Sequence, residues 1–327
     1  MNCRKFNDSN QPECEPARAS VLCSANDPVS QTAVADRLYL SMINNSLFDT
    51  DAVVDVLRVE RLGNDQFIGK NHAMGSPRVF GGQVLGQSLY AASTTVDGRP
   101  PHSMHAMFLT PGDLNLPIEY LVERVRDGGS FSTRRVVATQ EDRRLFVMSA
   151  SFQVPEDGLS HQKASGENRD PDTMRSAPES WKQRAKAQGI SYCPVPVDFR
   201  GYPDGDMFNA GVSTPHKRVW VRTPRKIDDD YRIHQALFAY VSDYGLLSTS
   251  LQPHGYMVGD PRLQIASLDH SIWFHRPFRI DDWLLFAMDS PNASGGRGLT
   301  LGHVYDRFGE MVATMAQEGM IRIHQKR

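Results

Sequence analysis

The chain has few cysteines, and their positions do not suggest a structural framework. Four occur in 327 residues, and three of them, Cys3, Cys14 and Cys23, lie in a polar leader. Their spacings match no zinc motif, and Cys193 stands alone. A disulfide framework is therefore not expected, so we predict a reducing compartment and, by default, a cytoplasmic location.

Long apolar runs and an excess of one charge are also lacking. No run of about 18 apolar residues occurs, so no membrane-spanning helix is expected. The start lacks the charged and apolar parts of a secretory signal, and the last residues are not a peroxisomal SKL-type ending. The 36 basic and 38 acidic residues give a formal net charge of −2, which argues against general affinity for nucleic acid.

Two common catalytic arrangements are missing as well. No G-x-S-x-G occurs, because the segment Gly128–Ser132 fails at its last position, and this disfavours a serine hydrolase with a nucleophile elbow. His270 and His275 are separated by an odd number of positions, so on one strand they point to opposite faces. Structural histidines are favoured over a metal pair, and neither a metal nor a cofactor is expected.

Composition divides the chain into four predicted segments. Residues 1–33 form a polar leader that we expect to be disordered. Residues 34–155 form an N-terminal domain and residues 195–327 a C-terminal domain. The linker, residues 156–194, is polar and is predicted to contain one short helix around Glu179–Ala187.

The first half has the pattern of one long helix followed by an antiparallel meander. The helix is predicted over Arg78–Val96, and the strands over His102–Leu109, Ile118–Arg126, Phe131–Gln140 and Arg144–Val154. Small residues are frequent in the helix, including Gly81, Gly82 and Gly86, although glycine costs about 1 kcal/mol there relative to alanine. We expect a sheet wrapped tightly round this helix. The Gly81–Gly82 N–H groups are open to an incoming carbonyl or phosphate.

The second half repeats the first at a distance of 166 positions. The matched pairs are Phe108 and Phe274, Pro111 and Pro277, Gly129 and Gly295, and Ala150 and Ala316. Strands and turns stay in step for about fifty residues, which indicates an internal duplication. A helix packed in a curved antiparallel sheet, twice in one chain, is a double hotdog of the α+β class.

The helix predicted over Ile233–Gly255 contains a carboxylate, Asp243, beside an apolar face. A carboxylate in that position needs polar neighbours or a shifted pKa. The alternative is purely local, because Ser242 and Asp243 could end the helix with Gly245 as a left-handed stop. The corresponding helix of the first copy has no acid between Phe80 and Val96.

Two more polar residues are specific to the second copy. Gln317 shares a strand face with apolar residues and falls opposite Ser151, whereas Ser267 falls opposite Pro101. Either residue alone is also compatible with a hydrogen-bonded core or cap position. Together with Asp243 they form a set of three polar groups that the first copy lacks.

Four segments resemble the acyl-CoA thioesterase II family, of the TesB type. They are VFGGQVLGQSLYAA, SDYGLLSTSLQPHG, SLDHSIWFHRPF and AQEGMIR, and the resemblance covers roughly Val53–His324. It implies a double hotdog that hydrolyses acyl-CoA to free acid and coenzyme A, and it suggests a homo-oligomer. It also implies a catalytic trio formed by Asp243, Ser267 and Gln317. The chain departs from the pattern in its Cys-containing leader and has Ser267 where threonine also occurs.

The resemblance implies a mechanism in which the trio holds a water and Asp243 takes its proton as the water attacks the thioester carbonyl. Gly81 and Gly82 are candidates to stabilise the oxyanion or bind substrate. Neither a covalent acyl-enzyme nor a metal is required.

Two alternatives keep the same fold. One is an acyl-CoA-binding protein without turnover. The other is a hotdog enoyl-CoA hydratase, which the neighbouring Asp269 and His270 suggest, although the spacing of that family's Asp and His differs.

Overall fold

The computed structural model describes residues 50–74, 76–166, 168–178, 195–201, 212–256, 258, 260 and 262–324. The leader, residues 1–33, and the helix expected around Glu179–Ala187 lie outside these ranges, so both stay predictions. Within the described residues no helix is long and apolar enough to cross a membrane.

In its described residues, the first half contains two helices and six strands. The helices are α1 (Thr50–Leu57) and α2 (Gly81–Ser93). The strands are β1 (Glu60–Gly63), β2 (Gln66–Gly69), β3 (Pro101–Phe108), β4 (Ile118–Asp127), β5 (Phe131–Gln140) and β6 (Arg143–Gln153).

The second half repeats the order from β1 onward, with one extra strand and one short extra helix among the described residues. Its strands are β7 (Asp198–Gly201), β8 (His216–Arg222), β9 (Leu263–Ser267), β10 (Asp269–Phe274), β11 (Leu284–Ser294), β12 (Arg297–Asp306) and β13 (Met311–Ile323). Its helices are α3 (Tyr231–Ser242) and the short α4 (Leu246–Thr249). Short 3₁₀ turns lie at Pro171–Thr173 and Gln252–His254.

One continuous antiparallel sheet joins the two halves. Its strand order in the described residues is β1-β2-β4-β5-β6-β3-β10-β13-β12-β11-β8-β7, and β9 also pairs with β13. The join is the pairing of β3 with β10, from Met107 opposite Asp269 to Ser103 opposite Trp273. Each half is a meander around its own long helix, so the predicted double hotdog is confirmed.

The predicted repeat distance holds for the meander strands that follow the long helices but not for the helices themselves. Ile118 begins β4 and Leu284 begins β11, which are 166 positions apart, and β5 and β12 keep the same distance. Gly81 and Tyr231 begin the two long helices only 150 positions apart. The second copy therefore contains extra residues after its helix, and α4 and the turn at Gln252–His254 lie there.

The helix predicted over Ile233–Gly255 is shorter than expected. It ends at Ser242, Asp243 caps its C-terminus, and Gly245 has a left-handed φ of 86°. The local interpretation of these residues as a helix end is therefore correct. Asp243 lies at the end of the buried helix rather than within it.

Gly82 and Gly86 of α2 face the other long helix, not the sheet. A Cβ on Gly86 would lie 2.7 Å from the backbone oxygen of Ala236, and a Cβ on Gly82 would overlap the backbone oxygen of Tyr240. Because Gly82 meets Tyr240 and Gly86 meets Ala236, α2 and α3 run in opposite directions. The expected close backbone is thus that of α3, and the start of α2 lies at the end of α3.

Candidate active site

The three polar residues predicted from the second copy meet at one point. The Gln317 amide nitrogen donates to Asp243 Oδ1 at 2.6 Å and to Ser267 Oγ at 3.0 Å. The Ser267 hydroxyl donates to the same carboxylate oxygen at 3.4 Å. The end of α3, the end of β9 and the middle of β13 each supply one side chain.

An irregularity between β9 and β10 places Ser267 in this group. Ser267 pairs with Gly319 on β13, whereas Ser271 pairs with Ala316. Three residues between Ser267 and Ser271 therefore face two residues of β13, which is a β-bulge. Bulges occur often beside active sites because the extra residue redirects a side chain.

The start of α2 lies directly on the carboxylate of Asp243. The Gly82 N–H donates to this carboxylate, and a Cβ on Gly81 would lie 2.8 Å from Oδ2. The N-terminal end of a helix favours an anion, whereas the C-terminal end of α3 disfavours one. The first copy thus stabilises a charge that the second copy presents.

Burial raises the pKa of Asp243, and this is the largest influence on that group. Hydrogen bonds from Gln317, Gly82 and Ser267 act in the opposite direction and lower the pKa, but they do not cancel the effect of burial. A carboxylate with a raised pKa accepts a proton more readily than an exposed one. The environment therefore suits Asp243 to the role of a base.

Gln317 has one polar atom to spare. Its side chain is 1% exposed, its nitrogen makes both bonds described above, and its Oε1 has no hydrogen-bond partner among the described residues. An unpaired buried acceptor costs roughly 1–3 kcal/mol, so this oxygen is suited to a bound water or ligand.

His270 in β10 and His275, which follows that strand, each bond to a different side chain and do not form a metal pair. His270 is fully buried and its Nε2 bonds to Ser242 Oγ, whereas His275 bonds to Thr314. Burial lowers the pKa of His270 to about 3, so its ring is neutral. No group of three potential ligands for a metal ion occurs in the described parts of the chain. Asp269 and His270 contact different elements, which does not favour the hydratase alternative.

Sequence reasoning placed the trio but missed its supports. The role of Gly81 and Gly82 as oxyanion or substrate donors stays a prediction, and the structure adds that the Gly82 N–H donates to Asp243. The contacts of Ser242, Asp269 and His270 were also missed. The only sequence signal for the contact between Gly82 and Asp243 is the pair of glycines at the start of α2, because glycines in a helix indicate close packing against another group.

Comparison with known proteins identifies the family. A family model described as acyl-CoA thioesterase matches residues 203–320, and one described as its N-terminal domain matches residues 69–153. The acyl-CoA thioesterase 2 of Haemophilus influenzae is 36% identical over 285 residues, which covers 84% of this chain and 98% of that protein. The chain belongs to the acyl-CoA thioesterase II family.

Other members of the acyl-CoA thioesterase II family give the same result. Human acyl-coenzyme A thioesterase 8 is 35% identical over 83% of this chain and 89% of its own length. The crystal structure of acyl-CoA thioesterase II TesB2 from Mycobacterium marinum is 38% identical, with a TM-score of 0.70 over 83% of this chain and 98% of that one. A hot dog protein of unknown function from Alicyclobacillus acidocaldarius has a TM-score of 0.68 at 19% identity, which supports the fold alone.

Proposed function

We propose that this chain hydrolyses acyl-CoA to a free fatty acid and coenzyme A, with Asp243, Ser267 and Gln317 activating the water. The observation that supports this most directly is the convergence of the three side chains, with Gln317 donating to both Asp243 and Ser267. Membership of the acyl-CoA thioesterase II family supports the substrate class.

The hydrogen bonds support separate roles for two members of the trio, Gln317 and Asp243. Both amide hydrogens of Gln317 are used, one on Asp243 and one on Ser267, and the Ser267 hydroxyl hydrogen points to Asp243. A water therefore has two acceptors available, the Gln317 Oε1 and the second oxygen of Asp243. Gln317 orients the water and Asp243 takes its proton.

The reaction then proceeds in two steps. The water oxygen forms a bond to the thioester carbonyl carbon, the carbonyl oxygen becomes an oxyanion, and Asp243 holds the proton. When the oxyanion collapses, the carbon–sulfur bond breaks and the sulfur leaves with the proton as the thiol of coenzyme A. No acyl-enzyme forms, and the carboxylate of Asp243 is regenerated.

The start of α2 is the proposed oxyanion site. It lies against Asp243, so a carbonyl bound there is within reach of the activated water. The Gly82 N–H already donates to Asp243, which makes the Gly81 N–H the better candidate of the two.

A thiol-release assay tests the function. We expect release from at least one acyl-CoA in a panel from short to very long chains, and a fall of about 10²–10⁴ in rate for Asp243→Asn. Asp142→Asn, an exposed aspartate between β5 and β6, is the matched control and retains the wild-type rate. Absence of thiol release from the whole panel would exclude hydrolysis, and a near-wild-type rate for Asp243→Asn would exclude it as the base.

The same panel separates the two alternatives. A binding protein without turnover would retain acyl-CoA and release no thiol. A hydratase would consume an enoyl-CoA without thiol release.

We also propose that the domains span residues 34–155 and 195–327, which enclose the two segments matched by the family models. A cytoplasmic location and a homo-oligomeric assembly complete the proposal. Light scattering of the purified chain measures the assembly, and cell fractionation the location.

A further inference from the structure

Two members of the trio have a chain neighbour bonded to the residues that follow Ser267. Glu318 follows Gln317, and its N–H donates to Asp269 Oδ1 at 2.8 Å. Ser242 precedes Asp243, and its Oγ lies 2.9 Å from His270 Nε2. The short stretch Ser267–His270 therefore contains one member of the trio and bonds to the chain neighbours of the other two.

The direction of the Ser242–His270 hydrogen bond follows from counting hydrogens. Ser242 has one hydroxyl hydrogen, and it donates that hydrogen to the backbone oxygen of Ala239 at 2.8 Å. Its Oγ can therefore only accept, so His270 carries its hydrogen on Nε2. The opposite ring nitrogen, Nδ1, has no partner among the described residues. Since the His270 ring is buried and its pKa is lowered to about 3, the ring stays neutral near neutral pH, and the Ser242–His270 bond is the same throughout that range.

Strand geometry explains how two adjacent residues reach different elements. Successive side chains of a strand point to opposite faces. His270 points inward, where it is fully buried and reaches the last turn of α3. Asp269 points the other way, and its Oδ1 accepts the backbone N–H of Glu318 on β13 at the bulge. The Leu268 N–H donates to the backbone oxygen of the same Glu318.

Asp243 needs such a support because of where it lies. Its helix ends at Ser242, the negative end of the α3 dipole is unfavourable to its charge, and the left-handed Gly245 follows closely. A bond from the sheet to Ser242 fixes the last helical residue before the carboxylate.

We propose that Asp269 and His270 are positioning residues that hold Gln317 and Asp243 in the geometry required for water activation. The inference rests on the proposed hydrolysis by the trio. Neither residue touches the reacting atoms, and each acts through the residue beside a trio member. Misplacement by about 1 Å can cost 10²-fold in rate, so a loss of one support is expected to be measurable.

Paired variants test the proposal in the full chain. His270→Leu and Asp269→Ala remove a donor and an acceptor, whereas His270→Gln and Asp269→Asn restore an amide donor or an amide acceptor at a similar reach. We expect kcat for acyl-CoA hydrolysis to fall about 10- to 100-fold in the first pair, with KM within about twofold, and to recover largely in the second pair.

A matched control comes from the other end of α3. His234 is 2% exposed and its Nδ1 accepts the N–H of Ile280, so His234→Leu also removes a buried histidine bond from the same helix. We expect it to lower the thermal midpoint while kcat of the folded protein stays near wild type.

A second route to the same bond is Ser242→Ala, which removes the acceptor and leaves His270 in place. The double variant Ser242→Ala/His270→Leu is expected to lose no more activity than His270→Leu alone, because both changes remove one bond. Ser242→Ala alone keeps the proposal testable if His270→Leu does not fold.

The outcomes separate the two proposals. A wild-type rate in His270→Leu and Ser242→Ala, with Asp243→Asn inactive, would overturn the positioning role and leave the proposed function intact. An equal loss of kcat in His234→Leu would reduce the effect to general destabilisation and would also overturn it. A wild-type chain that releases no thiol, or an Asp243→Asn variant at the wild-type rate, would overturn the proposed function and the positioning role with it.

Discussion

Replacement of Gly86 by alanine tests the contact between the two helices that forms the site. The added Cβ would lie 2.7 Å from the backbone oxygen of Ala236 and 2.6 Å from Leu57 Cδ2. Ala236 and Leu57 are both completely buried. Since a helix carbonyl cannot move without its helix, α2 and α3 must separate by several tenths of an ångström.

The expected cost follows from two opposing effects. Overpacking a buried contact costs about 1–3 kcal/mol, and the upper end applies here because one of the two obstructing atoms belongs to the backbone. Alanine gains about 1 kcal/mol over glycine in helix propensity. The net expectation is a loss of about 2 kcal/mol in the free energy of unfolding.

Urea unfolding followed by circular dichroism measures this loss, and thiol release measures its consequence for the site. A separation of the helices draws the Gly82 N–H away from Asp243, so the rate of the folded variant is expected to fall as well. Gly129→Ala is the control, because no atom of the residues described lies within 4 Å of its added Cβ, apart from its own chain neighbours. A Gly86→Ala chain as stable as wild type would refute the close approach of the two helices.

Two further predictions concern the ionisation of Asp243. Because its pKa is raised above the ordinary value of 3.8 and the base must be ionised, kcat/KM is expected to fall as pH drops through this raised pKa; a rate that stays constant down to the ordinary pKa of an aspartate would contradict the assignment. A raised carboxylate pKa also means that protonated Asp243 favours the folded state. This contribution to the free energy of unfolding is fully present below the unfolded-state pKa and is lost as pH rises through the folded-state pKa. It amounts to about 1.4 kcal/mol for each unit by which the pKa is raised. Asp243→Asn is therefore expected to unfold at a higher temperature than wild type at neutral pH, with the advantage lost in acid, and calorimetry at the two pH values checks this.

The strands were predictable because their signal is local. The segment Phe131–Gln140 is rich in valine and threonine and lies between two turns, and the structure has β5 at the same bounds. The duplication then identified β12 at the same distance. Strand-forming residues and turn residues are signals that depend only on the nearby sequence.

The end of α3 shows what local patterns leave open. Small and apolar residues continue past Ser242 and favour a longer helix, whereas the structure turns at Gly245. The sequence offered two interpretations of Asp243, a helix end and a functional carboxylate, and they are compatible. It ends the helix, and it belongs to the trio.

The contacts that support the site depend on partners distant in sequence. Glycines in α2 indicated a close backbone but not whose backbone it was. The bulge between β9 and β10 exists only in relation to β13, and no feature of the segment SLDHS by itself predicts it. The bond of His270 to Ser242 likewise requires the helix and the sheet to be assembled.

The antiparallel contact of α2 and α3 limits the sequence changes that the first copy can accept at the start of α2. The first copy supplies none of the trio, yet its Gly81–Gly82 step lies on the carboxylate of the second copy. Selection on the reaction is therefore expected to act on the start of α2 as strongly as on the second copy itself. In this duplicated chain the first copy has none of the trio, yet few substitutions are expected to be tolerated at the end of its helix that contacts the second copy.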